Sequence, residues 1–151
     1  MTIDHVALLP AYCAAGTAVL AFLADLALPG RRAPALTATI LGSLVTGAAA
    51  VWVHRVGGGA TFCLPAGCSY EWDGTATLIG LLFATATVVV AALSVPELRS
   101  ATVPAGEYCF LLACSMTGGV TVGYAGDLIT LIVGLETLTL PLYILLSLIH
   151  I

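Results

Sequence analysis

A single carboxylate, Glu136, stands in the middle of the apolar stretch DLITLIVGLETLTLPLYILLSL, which runs from Asp127 to Leu148. An acid in that position can do one kind of chemistry: take up and release a proton away from bulk water. At roughly 1.5 Å per residue a helix over this stretch is about 33 Å long, enough to cross a hydrocarbon core of about 30 Å, so Glu136 is expected near the bilayer midplane. Holding a charge at that depth costs on the order of 3 kcal/mol or more, which marks an intramembrane acid as a functional candidate. The alternative is a buried acid hydrogen-bonded to a neighbouring helix for packing specificity alone.

Four further residues shape its surroundings. Pro141 cannot donate to the carbonyl of Thr137, so a kink is expected just after the acid, with that carbonyl left free for water or a neighbouring side chain. Gly134 lets another backbone approach. Thr139 and Tyr143, at i+3 and i+7, share a face with Glu136 and extend it into a narrow polar strip able to hold water or a proton. A proton-transfer residue needs its charged and neutral forms both within reach, which calls for a nearby cation. The chain contains no lysine, and Arg31, Arg32, Arg55 and Arg99 all fall near helix ends, so that cation is expected from outside the chain.

Other constellations are weaker. Cys63 and Cys68 flank a Pro65 to Gly67 turn in C-x4-C spacing, and a disulfide there is expected, with two free thiols as the alternative. Closing so short a loop contributes only about 2 kcal/mol in the chain-entropy model. A membrane thiol-quinone oxidoreductase would use a C-x-x-C pair, and Cys109 and Cys114 lie inside an apolar span, where cysteine acts as a small hydrophobe. A haem bundle needs paired intramembrane histidines, whereas His5, His54 and His150 all sit at ends. A small self-contained proton-coupled exporter would also use a lone membrane glutamate. No metal cluster, Walker loop or nucleophile triad is legible.

The elements that must position Glu136 follow from composition. With 60% hydrophobic and 8% charged residues and a mean hydropathy of +1.12, the chain reads as an all-α integral membrane bundle of about five transmembrane helices. The spans are expected over about 6–28, 35–53, 75–93, 108–122 and 127–148, as a single domain over 1–151. Asp25 is expected near the interface, within reach of water or of Arg31 and Arg32. Trp52 and Trp72 bracket a loop over 54–74 that also holds Tyr70, an arrangement typical of the membrane surface. Two prolines in VPELRSATVPAGE mark a turn. The link holding Arg31 and Arg32 and the one holding Arg99 outweigh the side with Arg55 alone, which places the N-terminus and the Cys63 loop outside the cell membrane. A net charge of -4 with no basic patch excludes nucleic acid as a partner.

The stretch around Glu136 carries a resemblance as well. V-G-L-E followed by L-x-L-P-L-Y and entered by Asp127 resembles the fifth-helix signature of the N subunit of bacterial NADH-quinone oxidoreductase, respiratory complex I. PAGEYCFLLACSMTGGV is similar to the preceding helix of that family, and the TFC…GCSY loop to its actinobacterial members. The resemblance implies an antiporter-like, proton-translocating subunit of the membrane arm, in which Glu136 passes protons with lysines on later helices. It also implies that NADH, FMN, iron-sulfur clusters and quinone belong to other subunits, with no cofactor in this chain. Its partners would be the other membrane-arm subunits and the lipid bilayer. On this reading the chain is an N-terminal fragment truncated inside an apolar run, and Ser147 to Ile151 depart from the family's pattern.

Overall fold

A computed structural model describes residues 3–57, 59–65, 67–99 and 104–150. The chain folds into helices α1 (Leu9–Ala27), α2 (Arg32–Val56), α3 (Gly74–Leu93), a short α4 (Val95–Arg99), α5 (Ala105–Gly123) and α6 (Leu128–His150). Between α2 and α3 a hairpin is formed by β1 (Thr61–Leu64) and β2 (Gly67–Tyr70). Four of these helices, α1, α2, α3 and α6 over Leu128–Ser147, are long and apolar enough to cross a membrane.

The fourth expected span, over about 108–122 and now α5, is 19 residues long but does not reach that apolarity. Its place in the bundle explains why. α5 packs against α1, α2, α3 and α6, so most of its surface meets protein, and beside Leu112, Met116 and Val120 its buried positions include the small residues Ala113, Ser115, Gly118 and Gly119. Helices associate in lipid by close packing, which small residues favour, so a central helix needs less apolar bulk than its neighbours. α6 is the opposite case. Its main partner among the helices is α5, and it also touches β2.

Helix boundaries depart from the sequence expectations for local reasons. α1 begins at Leu9, not Val6, because the Asp4 carboxylate accepts from the amides of Val6 and Ala7 (2.9 and 3.2 Å) and holds a turn there. α2 begins at Arg32, ahead of Pro34, since a proline in the first turn removes no intrahelical bond. It ends at Val56, where left-handed Gly57 (φ 78°) returns its amide to the Val53 carbonyl. The expected turn after α3 holds α4, with Pro96 in its first turn. α5 starts at Ala105, immediately after Pro104. Asp25 presents its carboxyl to that start, where a methyl on Gly106 would collide with it.

Within the loop over 54–74 the hairpin pairs Thr61 with Tyr70, Cys63 with Cys68 and Leu64 with Gly67, and Cys63 and Cys68 form a disulfide. The hairpin is fastened to the link between α5 and α6. Tyr70 bridges Ala125, Glu71 donates its amide to the Tyr124 carbonyl, and Gly126 donates to the Ser69 carbonyl, both at 2.9 Å. The rings of Tyr70 and Tyr124 stack with centroids 5.0 Å apart. Asp4 ties the chain's start to the same place, accepting from the Gly59 amide at 3.2 Å.

Candidate functional site

Asp127 sets the entry of α6. It precedes the helix, and one oxygen accepts from the Thr130 amide at 2.7 Å, an N-cap that satisfies a helix amide otherwise without a partner. Its other oxygen accepts from the Ser69 hydroxyl of β2. The Ser69 bond and the Thr130 cap hold the carboxyl below the usual carboxylate range. The helix is thus anchored at its first turn to the hairpin.

Further along, α6 packs on α5 through a narrow face. Gly134, Pro141 and Leu145 are buried, and at about 100° per residue they fall on one side of the helix. A methyl at Gly134 would lie 3.0 Å from the amide of Val122 and 3.3 Å from the carbonyl of Gly118. The same approach is tighter at Gly118 on α5, where a methyl would lie 2.6 Å from the carbonyl carbon of Thr137 and 2.7 Å from the Cα of Leu138. Backbone meets backbone across these two glycines. Ser115 adds a hydrogen bond from its hydroxyl to the Leu138 carbonyl at 3.2 Å.

Glu136 lies two residues beyond Gly134, about 200° around the helix. It is therefore nearly opposite the packed face and is exposed. Tyr143, 69% exposed, shares that outward side, and Thr139 is half-buried beside it. The two threonine hydroxyls do not serve the acid. Thr137 donates to the Val133 carbonyl at 2.7 Å and Thr139 to the Leu135 carbonyl at 2.9 Å, each four residues back on α6. The outward strip thus carries the Glu136 carboxyl and the Tyr143 ring, flanked by Ile132, Leu140 and Leu146, all about half exposed or more. α6 continues as helix through Pro141. The hydroxyl that reaches this turn, Ser115, is on the carbonyl of Leu138, next to that of Thr137.

Among the described residues no group of His, Cys, Asp and Glu could hold a metal ion. Of the free cysteines, Cys109 is buried and Cys13 and Cys114 are half-buried. Sequence reading missed Gly118 and Ser115. The signal was present in the run SMTGGV, whose adjacent glycines are what two closely packed membrane helices require.

No family model matches the chain. Over 97% of its length it is 58% identical to NADH-quinone oxidoreductase subunit N of Salinispora tropica, of which it spans 28%. It is 35% identical over 94% of its length to NADH-quinone oxidoreductase subunit N 2 of Streptomyces griseus subsp. griseus, spanning 27% of that protein. With subunit N of Desulfovibrio desulfuricans the identity is 33% over 96% of the chain and 28% of the relative. The chain thus spans little more than a quarter of the length of the curated relatives it matches.

Proposed function

From the premise that this chain is homologous along nearly its whole length to the N subunit of NADH-quinone oxidoreductase, we propose that it forms part of a proton-translocating membrane-arm subunit. Glu136 is the residue that passes the proton. The observation that carries this reading is the orientation of the acid. Ionisable groups inside a membrane almost always face a bundle interior or a water-filled cavity, yet Glu136 turns away from α5, the helix that α6 chiefly packs against. Its outward strip is therefore an inner surface of a larger assembly, and the relatives, more than three times as long, have ample chain to cover it. The cation that balances the acid stands on that covering chain. Pro141 and Thr137 shape the turn after it, and Tyr143 borders the same path.

On this reading quinone reduction elsewhere in the complex drives the transfer. NADH, FMN, iron-sulfur clusters and quinone are held by other subunits, and the partners of this chain are membrane-arm subunits and lipid. A hydrophobic carbodiimide, which reacts with protonated carboxyls inside membranes, tests the role in the complete complex. Modification of Glu136 is expected to proceed in parallel with loss of proton translocation. Undiminished translocation with Glu136 fully modified would overturn the assignment.

The Cys63–Cys68 disulfide supports a plasma-membrane orientation with the hairpin on the oxidising, extracytoplasmic side. Intact cells treated with a membrane-impermeant maleimide are expected to label Cys63 and Cys68 only after reduction. Absence of labelling in both states, with labelling in opened cells, would reverse the orientation.

A further inference from the structure

Two adjoining cavities follow the line where α2 meets α3. The lower, about 390 Å³, extends from Ser43 to Val51 on α2 and from Leu81 to Val89 on α3. The upper, about 520 Å³, is bounded by Val51 and His54 and by the first turns of α3 from Gly74. Val51 and Leu81 belong to both, so the two form one groove from the hairpin end towards mid-membrane. Both volumes fall within the roughly 300–1,000 Å³ of ordinary ligand sites.

The walls differ in chemistry along its length. In the lower part the only hydroxyls turn inward on their own helices: Ser43 donates to the Thr39 carbonyl and Thr85 to the Leu81 carbonyl, both at 2.7 Å. The occupant of that part meets only hydrocarbon. Gly47 leaves room, since a methyl there would make ordinary contacts of 3.5 Å with Ala84 and 3.6 Å with Leu81. The upper part ends in polar groups. His54 lines it with Thr75, its ring 5.6 Å from that of Trp72, and Arg55 follows in the last turn of α2.

Length separates the occupants. From Ser43 to His54 is about 17 Å of helix and from Gly74 to Val89 about 22 Å, at 1.5 Å per residue. One leaflet with its headgroup layer is about 20–22 Å deep, whereas a spanning helix would need a seat of twice that. We infer that the groove between α2 and α3 binds one phospholipid, with its acyl chain beside Gly47 and its phosphate at His54 and Arg55. The His54 ring at the mouth, with Arg55 next to it in the chain, complements the phosphate, and the apolar lower wall complements the acyl chain.

A phosphatidylethanolamine with a photoreactive acyl chain, incorporated into membranes that hold the complete complex, tests this. Cross-links are expected to concentrate on the peptides holding residues 43–51 and 81–89. They should fall severalfold in Gly47→Leu, which fills the lower groove, and in Ala48→Phe, while Leu20→Phe on the exposed side of α1 should leave them unchanged. Labelling spread evenly over all lipid-facing helices would overturn the site in favour of bulk lipid. An Ala48→Cys variant that cross-links to another helix or subunit, with no lipid label in the wild type, would show that the groove holds protein.

Discussion

Glu136→Gln in the complete complex is expected to stop proton translocation and the quinone reduction coupled to it, while leaving membrane insertion of the bundle intact. Glutamine keeps the shape of the side chain and cannot ionise. Because Glu136 points away from α5 and its carboxylate makes no hydrogen bond among the described residues, its replacement removes nothing that holds the five long helices together. Loss of a positioned proton-transfer group lowers rates by about 10²–10⁴, well outside the effect of a surface substitution on folding. Glu136→Asp, which ionises with its carboxyl drawn back by one methylene, should retain part of the activity. The measurement is acidification of inverted membrane vesicles during NADH oxidation, with the amount of assembled complex followed in parallel. Full acidification by an assembled Glu136→Gln complex would remove Glu136 from the proton path.

Gly118→Leu is expected to be as severe by a different route. A methyl alone at this position would already overlap the backbone at Thr137 and Leu138, and backbone cannot rotate aside as the tip of a long side chain can. Overpacking a core costs about 1–3 kcal/mol where side chains can adjust, and more where two main chains must separate. α5 is the main support of α6, so α6 would be displaced together with Glu136. The expected result is little or no assembled complex in the membrane. Gly16→Leu is the control, because a side chain at Gly16 meets nothing within 4 Å and should be tolerated. Normal assembly of Gly118→Leu would show that α5 and α6 do not make this approach.

Much of the helical plan was legible in the sequence, because runs of apolar residues long enough to cross a bilayer have few other uses. Glu136 stood out for the same reason. Its direction did not. In a soluble helix polar residues mark the outer face, but α6 has Leu, Ile or Val on every side, and only the small or ring-closed residues Gly134 and Pro141 show which side meets protein. The expected polar strip was half legible: the 3.6-residue repeat does align Glu136, Thr139 and Tyr143, but a threonine in a helix can turn its hydroxyl back onto the preceding turn, and Thr139 does. The clasp of Ser69 on Asp127 joins residues 58 positions apart and left no mark in local pattern.

The central place of α5 also bears on how the chain is made. α1, α2 and α3 leave the ribosome before it, and each is apolar enough to enter lipid on its own account, whereas α5 gains more from protein neighbours than from lipid. A segment of that kind is retained in the membrane by a binding surface already in place, here the one formed by its three predecessors. α6, emerging next, closes the last open side of α5. Biogenesis of this region is therefore expected to run as the filling of a prepared seat, and a substitution that spoils the seat on α1 or α3 should surface as slippage of α5 out of the bilayer rather than as a fault at its own position.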